Sequence, residues 1–392
     1  MSESELFVDI IDQRLHGAIT VGNTLDDLYA DAQNETMSWG TIHLGLVTKI
    51  DTKLDAAVVD LGTGHFGYLP AKHVHFPGGD GIASKLKAGQ LVPVQIKSEA
   101  KNFGFLERDK MPRLTTKLYV MGHHLAYCPV FVTEAAKRNL QNRLVRYIES
   151  KTNTHGDWIL QPFREKTDPD VLLAEAKYLM REWNRILAKQ KELGKNPGIL
   201  KDGPTALERV LFDYGTQHFA HIHVGSMELL KMMEKWCAVF EPALATSKRL
   251  RLFKPDKPEQ RLFDTHDIYS VLETLQDKSV PLPSGGSIII EETHALLVVD
   301  VNQGNSPSPM TANEEAAGVF ARQARLRNYS GGIIVDCINM PQRAQRTKVL
   351  EAFEKHFEGD IANGHVHGFT RLGIIEITRK RRAAFYAETL QY

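Results

Sequence analysis

Two neighbouring segments decide the fold of this chain, and they read PLPSGGSIIIEETHALLVVDVN (residues 281–302) and GGIIVDCI (residues 331–338). Each contains a continuous apolar run, which is typical of a parallel strand buried on both faces. Each run leads into an aspartate, Asp300 or Asp336, and Asn302 follows two positions after the first. A carboxylate at the end of such a strand is costly to desolvate, so we expect each aspartate to be paired or to bind a cation.

The residues between these segments predict a helix that connects two parallel strands. The pattern Thr311-x-x-Glu314 is that of a capping box, and the helix is expected to run through Arg327. A strand–helix–strand unit makes a right-handed crossover, and both strands then end at the same edge of the sheet. We therefore expect the two aspartates to meet there and to form, with the asparagine, a site for a hard cation such as magnesium.

The composition is that of an ordinary globular protein. Of the 392 residues, 42% are apolar and 24% are charged, and the formal net charge is zero. A nucleic-acid-binding surface would therefore have to be a local basic patch. Three scattered cysteines exclude a disulfide framework, and no apolar run approaches the length of a membrane span. We expect a soluble, cytoplasmic protein without a signal peptide or a membrane segment.

Residues 40–113 predict a small antiparallel barrel. Short apolar strands follow one another at close spacing and are separated by glycine and proline turns, and the pattern looks like an OB-fold of the S1 type. Such barrels bind single strands by stacking bases on aromatic side chains beside a basic groove. Phe66, Tyr68, Lys97 and Lys101 are the candidate contacts. Phe66 is equally compatible with a place in the barrel core, whereas Tyr68 is expected at the surface.

Three histidine pairs raise the question of a transition-metal site. They are His123/His124, His221/His223 and His365/His367. No cysteine or carboxylate stands near them at a spacing typical of zinc ligands. We therefore predict a structural or surface role for these histidines, and we expect no structural zinc.

Further motifs follow one another along the chain. They are Asp60-Leu-Gly with Gly67-Tyr-Leu-Pro, Leu282-Pro-Ser-Gly-Gly-Ser-Ile-Ile-Ile-Glu, Val299-Asp-Val-Asn302, Ala321-Arg-Gln-Ala-Arg-Leu-Arg-Asn328 with Gly331-Gly-Ile-Ile-Val-Asp336, and Thr370-Arg-Leu-Gly-Ile-Ile-Glu-Ile-Thr-Arg379. In this order and spacing, the set resembles the catalytic half of ribonuclease E/G family proteins over nearly the whole chain.

The resemblance implies a multi-domain fold with both α/β and β parts. An RNase H-like subdomain would be formed by residues 1–39 together with 197–280. An S1-type OB barrel (40–113) and a degenerate 5′-sensor-like segment (114–196) would be inserted within it. A DNase I-like α/β subdomain would follow at residues 281–392.

The resemblance also implies a catalytic metal site. Asp300 and Asp336 would hold one catalytic Mg²⁺, for which Mn²⁺ is a candidate substitute, and Asn302 would support the site. Metal-assisted hydrolysis of a phosphodiester bond is the expected reaction.

Further residues are expected to contact RNA. Tyr68 matches the family's barrel aromatic that stacks a base near the cut, and Lys101 is the best match for the lysine that helps it. Phe66 is the second aromatic candidate. Arg371 and Arg379 lie in the last motif and are candidates for bidentate contacts with phosphates.

Departures from the family limit what the resemblance implies. Gln161-Pro162 stands where the family's 5′-monophosphate pocket has an Arg-Thr pair, so we expect 5′-end sensing to be lost or remodelled. The CPxC zinc-link that joins protomers is missing, and so is the long C-terminal scaffold. The chain is thus expected to be a short member of the family, and any homo-oligomer would form without a zinc-link.

The sequence therefore predicts a magnesium-dependent endoribonuclease whose partner is single-stranded RNA. The alternative is an RNA-binding protein of the same fold with weak or no catalysis. In a protein that has lost catalysis, no cation would offset the burial of the carboxylates, and they would tend to be replaced. Retention of the three metal-site positions therefore favours the enzyme. A magnesium phosphoesterase acting on small nucleotides is a third interpretation, but such a substrate would not need the barrel.

Overall fold

The structure is a computed structural model, and it describes residues 3–32, 35–62, 64–99, 111–129, 143–154, 158–160, 167–257, 259–293 and 295–380. The chain divides into two compact units. The first comprises Met1–Gly17 and Tyr29–Leu262, and the second comprises Ala18–Leu28 and Phe263–Tyr392.

The first unit holds most of the strands, and the chain leaves it within β2 and returns within β3. The strands are β1 (Ser4–Ile11), β2 (Arg14–Val21), β3 (Thr24–Ala30), β4 (Ile42–Asp51), β5 (Ala56–Asp60), β6 (Phe66–Pro70), β7 (Leu91–Ser98), β8 (Arg113–Thr115), β9 (Val120–Met121), β10 (Leu125–Tyr127), β11 (Trp158–Leu160), β12 (Gly198–Lys201), β13 (His221–Val224) and β14 (Leu250–Leu252). The helices are α1 (Ile82–Lys85), α2 (Arg143–Thr152), α3 (Pro169–Leu193), α4 (Ala206–Tyr214), α5 (Met227–Phe240) and α6 (Pro242–Ala245).

Strands β4 to β8 close into a five-stranded barrel, as the sequence predicts. β4 pairs with β5 and β7, β5 pairs with β6, and β8 completes the closure by pairing with β6 and β7. Val47, Val59 and Val94 are fully buried in its interior. Gly67 is needed where β6 approaches β8, because a Cβ there would lie 2.5 Å from a methyl carbon of Leu114. One pairing, β6 with β8, is parallel, which the sequence did not indicate.

The chain after the barrel forms a small antiparallel sheet under a long helix. β10 lies between β9 and β11 in this sheet. Helix α3 begins after Asp168, whose side chain accepts a hydrogen bond from the amide of Asp170. Its apolar stripe, which includes Leu172 and Leu179, packs in one core with Trp158. The segment shares this core with β4 and β12, which pair with each other.

Parallel strand pairings join the start of the chain to a distant region. β1 pairs in parallel with β13, and β13 pairs in parallel with β14. Glu5 is the partner of His221 at the first position of this register. The pairing brings together the two ranges that the family resemblance assigned to one subdomain. The RNase H-like layout itself stays a prediction.

The second unit is built on one six-stranded sheet. Its elements are α7 (Ile268–Thr274), β15 (Ser279–Pro281), β16 (Ser287–Glu292), β17 (Leu296–Asn302), α8 (Pro309–Leu326), β18 (Gly331–Asp336), α9 (Arg343–Phe357), β19 (His365–Phe369) and β20 (Ile375–Arg379). The strand order is β15-β16-β17-β18-β20-β19, and within it β17 and β18 are the parallel pair. The predicted parallel strands on either side of a helix are therefore confirmed.

Two details of the second unit differ from the sequence analysis. β17 is buried on one face instead of both: Leu297 and Val299 are buried against α8 and α9, whereas Leu296 on the opposite face is exposed. Helix α8 begins after Ser308, whose hydroxyl accepts a 3.1 Å hydrogen bond from the amide of Thr311. The cap lies earlier than predicted because Pro309, which has no amide hydrogen to satisfy, fits the first helical position.

The DNase I-like layout of this unit also stays a prediction. Within the described ranges, no helix combines the length and the apolar character needed to cross a bilayer.

Candidate active site

Two aspartates stand side by side at the ends of the parallel strands of the second unit. The register of β17 and β18 pairs Asp300 directly with Asp336. Both side chains are exposed, on the face of the sheet opposite to the helices, because they alternate with the buried Val299 and Val335. The sequence predicted that these carboxylates would meet at one sheet edge, and the register places them there.

Asn302 belongs to the same exposed face. It lies two residues after Asp300 on β17, and its amide Nδ2 donates a 3.0 Å hydrogen bond to Oδ2 of Asp300. Among the described residues, neither Asp300 nor Asp336 forms an ion pair with a basic side chain. Two adjacent carboxylates repel each other unless a cation lies between them. The donor set of carboxylate and amide oxygens fits Mg²⁺, which prefers such ligands.

The glycine-rich turn before β16 fixes the loop that follows Asn302. The amide and the hydroxyl of Ser284 donate to Oε2 of Glu315 on α8, over 3.1 and 2.8 Å. A Cβ on Gly286 would lie 2.7 Å from the carbonyl oxygen of Asn302, so only glycine permits this approach. The motif quoted for this turn therefore has a structural reason, and Glu315 is a supporting residue that the sequence analysis missed.

Asn313 fixes the segment that follows Asp336, on the other side of the site. This fully buried side chain of α8 donates from Nδ2 to the carbonyl of Ile338 (2.8 Å) and accepts from its amide (3.0 Å). Ile338 lies two residues after Asp336, so the contact fixes the chain as it leaves the carboxylate. Asn313 was not predicted as a site residue, although a polar residue among the alanines of the buried helix face, such as Ala312 and Ala316, was a usable signal.

Arg371 lies at the same edge of the sheet. The turn from Thr370 to Ile374 joins β19 to β20 and is closed by a 2.8 Å hydrogen bond from the amide of Thr370 to the carbonyl of Ile374. The next residue, Ile375, is the partner of Val335, which immediately precedes Asp336. Arg371 is exposed. Its predicted contact with phosphate is compatible with this place and stays a prediction.

The structure gives Arg379 a different role from the predicted phosphate contact. Its guanidinium is buried and forms a bidentate ion pair with Asp360, with distances of 2.9 Å (Nε–Oδ2) and 2.8 Å (Nη2–Oδ1). Nη1 donates to the carbonyls of Ala324 and Tyr329. Burial alone would raise the pKa of Asp360, but the hydrogen bonds and charge of Arg379 outweigh it and lower the pKa. These contacts make Arg379 a structural residue that ties β20 to the end of α8.

The candidate RNA-binding face of the barrel lies in the first unit. Phe66 and Tyr68 are on the same face of β6; Phe66 is 46% exposed, so it does not fill the core, and Tyr68 is half-buried. Arg113, which the sequence analysis did not select, is exposed and is the register partner of Tyr68. Lys101 lies outside the described residues. The aromatic pair beside an arginine is compatible with stacking of bases next to a phosphate contact.

Positive charge is concentrated beside this face. Nζ of Lys97 lies 3.4 Å from Nε2 of His73. Burial, followed by the positive charges of Lys97, Arg113 and Lys72, lowers the pKa of His73 from 6.5 to about 4. The three cationic side chains that add to the effect of burial indicate a positive local potential, which favours a polyanion.

One of the three histidine pairs is buried beside a carboxylate, which the sequence did not predict. His123 and His124 are buried, at 1% exposure each, and their Nε2 atoms lie 3.3 and 3.2 Å from Oε1 of Glu241. These three side chains can hold a metal ion. The cluster was not predicted because Glu241 is far away along the chain and stands at no zinc-like spacing.

Comparisons with known proteins agree with the motifs. The model of the ribonuclease E/G family matches residues 121–382. Ribonuclease G of Haemophilus influenzae is 26% identical over 405 residues, which cover 97% of this chain and 80% of that protein. Ribonuclease G of Escherichia coli K12 is 27% identical over 403 residues, with coverages of 96% and 80%. Ribonuclease E of the same organism is 27% identical over 403 residues, which cover 96% of this chain and 37% of that protein.

Proposed function

The chain belongs to the ribonuclease E/G family, and on that premise we propose that it is a magnesium-dependent endoribonuclease that cuts single-stranded RNA. The observation that carries the proposal is the parallel register of Asp300 and Asp336, two exposed carboxylates without a basic partner among the described residues. The names of the relatives support RNA as the substrate. The barrel supports a single-stranded substrate, since its aromatic pair offers a stacking surface.

Each residue of the site has a task in this reaction. Asp300 and Asp336 would hold one Mg²⁺, and Mn²⁺ is a candidate substitute. Such an ion would supply Lewis-acid chemistry, which would polarise the scissile phosphate and lower the pKa of a bound water. Asn302 donates a hydrogen bond to one oxygen of Asp300, which would leave the other oxygen available to the metal. Arg371, at the same edge, would contact a phosphate of the bound strand.

We propose the domain layout of the family for this chain. Residues 1–39 with 197–280 would be RNase H-like, 114–196 a degenerate 5′-sensor-like segment, and 281–392 DNase I-like. The pairing of β1 with β13 supports the first assignment. The two compact units divide after Leu262, earlier than the proposed boundary at 280. The three cysteines are thiols, which supports a reducing compartment, the cytoplasm, as the place of the reaction.

A cleavage assay tests the proposal. A short, fluorescently labelled single-stranded RNA is incubated with the protein, with and without Mg²⁺, and the fragments are separated. Asp300→Asn and Asp336→Asn should lower the cleavage rate by at least about 10²-fold, because each removes one negative charge from the ligands of an ion that supplies several kcal/mol of stabilisation. Glu291→Gln is the control, since it makes the same change on an exposed carboxylate of the same sheet.

RNA binding is measured in parallel. Both asparagine variants should bind the RNA as the wild type does, whereas Tyr68→Ala should weaken binding by about 1–3 kcal/mol, the value of one stacked base. If the wild type with Mg²⁺ binds the RNA and leaves it intact, the alternative of an RNA-binding protein without catalysis is correct. If the asparagine variants cut the RNA normally, the metal site is elsewhere.

A further inference from the structure

We propose that His123, His124 and Glu241 form a zinc site in the first unit, which Glu175 supports from behind. The proposal goes beyond the nuclease reaction, because none of these residues belongs to the carboxylate site of the second unit. A ligand set of two imidazoles and one carboxylate differs from the all-oxygen set that Mg²⁺ prefers, and it is a set that Zn²⁺ uses.

Two distances between candidate ligand atoms match the spacing of ligands around a tetrahedral ion. The Nε2 atoms of His123 and His124 lie 3.3 and 3.2 Å from Oε1 of Glu241. Ligands placed about 2.0–2.1 Å from a tetrahedral zinc ion are roughly 3.3 Å apart. Charge-assisted hydrogen bonds between nitrogen and a carboxylate are shorter, about 2.7–2.9 Å. The spacing is therefore compatible with an ion between the three side chains, and it is long for a charge-assisted hydrogen bond.

The oxygen of Glu241 already has other donors. Nε2 of Gln217 donates to Oε1 over 3.1 Å, and the hydroxyl of Thr216 donates to it over 3.3 Å. A carboxylate has about four lone-pair positions on its two oxygens, so these two donors orient Glu241 and leave positions for a metal ion. The two imidazole nitrogens are thus not required as hydrogen-bond donors to orient Glu241.

Glu175 fixes the tautomer that metal binding requires. Its carboxylate is fully buried and lies 2.8 Å from Nδ1 of His124. It also accepts hydrogen bonds from the amides of His124 and Leu125. A carboxylate there holds the proton on Nδ1, so the lone pair of the neutral ring is on Nε2 and points towards Glu241. Carboxylate–histidine–zinc arrangements have the same order of groups.

The local sequence is adapted to bring Glu175 to this place. Residues Gly122 to Leu125 form the tight turn between β9 and β10, closed by a 2.8 Å hydrogen bond from the amide of Gly122 to the carbonyl of Leu125. A Cβ on Gly122 would lie 2.1 Å from Oε1 of Glu175. Only glycine leaves room for the carboxylate, so the turn, α3 and the end of α5 converge at the site.

The charge balance favours a divalent cation. Glu175 and Glu241 carry two negative charges, and no lysine or arginine in the described part of the chain is paired with either. Burying two carboxylates without compensation is strongly unfavourable. One Zn²⁺ with two neutral histidines makes the group neutral. Protonation of both histidines would also do so, and the experiment distinguishes these two arrangements.

The experiment measures zinc directly and does not depend on RNA cleavage. The purified full chain is stripped with a chelator, and Zn²⁺ is returned in competition with an indicator of known affinity. The proposal predicts one tightly bound zinc per chain, and tetrahedral d–d absorption bands when Co²⁺ replaces zinc. Glu241→Gln and His124→Gln should lose this binding, whereas His365→Ala, in an exposed histidine pair of the second unit, should keep it.

Glu175→Gln provides a graded test of the supporting role. It should weaken zinc binding by about 10- to 100-fold without abolishing it, which is the usual effect of removing a supporting carboxylate. Circular dichroism of each variant separates loss of the ligand from loss of the fold, and a ligand variant that is folded and binds no zinc supports the site. The proposal is overturned if the folded wild type binds zinc no more tightly than Glu241→Gln. The buried charges would then be balanced by protonated histidines.

Discussion

Replacing Arg379 by methionine tests whether this residue stabilises the fold or contacts RNA. The side chains of Arg379 and Asp360 are 4% and 2% exposed, so removal of the guanidinium leaves a buried carboxylate without its partner. Breaking a buried pair in this way costs about 3–5 kcal/mol. For a domain of this size, each kcal/mol lowers the melting temperature by about 2–4 °C, so the melting temperature should fall by roughly 6–20 °C.

The stability difference between wild type and Arg379→Met should also depend on pH, in a direction that the pKa of Asp360 determines. In the wild type the pKa of Asp360 is lowered, so its contribution to stability is present above the pKa of the unfolded chain and is lost as the pH falls through the lower native value. In Arg379→Met, burial without the arginine raises the pKa of Asp360 instead. Protonation then relieves the buried charge, so the stability gap between wild type and variant should be wide at pH 7 and narrow as the pH falls.

The assay is thermal unfolding followed by far-ultraviolet circular dichroism at several pH values, with RNA affinity measured below the transition. Arg371→Ala is the matched control, because it removes an exposed arginine of the same motif and should change stability by no more than about 0.5 kcal/mol. The double variant Arg379→Met with Asp360→Asn should recover part of the loss. The structural role of Arg379 is rejected if the free energy of unfolding of Arg379→Met lies within about 1 kcal/mol of the wild-type value while its RNA affinity is low.

Three further predictions concern the site and the barrel. Asn313→Ala should lower the cleavage rate while RNA affinity is kept, and it should cost about 1–3 kcal/mol of stability, because the backbone polar groups of the loop after Asp336 lose a buried partner. Gly286→Ala should lower cleavage and metal affinity together, as measured by Mn²⁺ titration, because its Cβ would displace a backbone carbonyl of the adjacent loop. Lys97→Ala should raise the pKa of His73 from about 4 towards 6.5, as followed by NMR of the imidazole, since it removes one of the charges that disfavour protonation.

The arrangement at the sheet edge was predictable because it follows from local pattern. Apolar runs that end in Asp300 and Asp336, with a helix between them, allow one parallel arrangement, and the chirality of the crossover fixes where the ends lie. The barrel was predictable for the same reason, since its strands and turns follow one another along the chain.

The roles of Arg379 and Glu241 depend on partners that are distant in sequence. A basic residue at the end of a strand has the same local pattern whether it faces a phosphate or a buried carboxylate such as Asp360. The pair His123/His124 gave no metal signal, because its third candidate ligand comes from the end of another helix. Periodicity and spacing describe neighbours along the chain, so contacts of this kind become visible only when the chain is folded.

The register of β17 and β18 has a consequence for how this family can vary. Side chains alternate between the two faces of a strand, so inserting or deleting one residue between Gly331 and Asp336 would turn the aspartate onto the face covered by α8 and α9. A substitution in β18 can alter the metal site gradually, whereas a change in the length of this strand removes Asp336 from the site altogether. The loops around the site can therefore vary in length, in natural or in directed evolution. The strand between Gly331 and Asp336 has to keep its length.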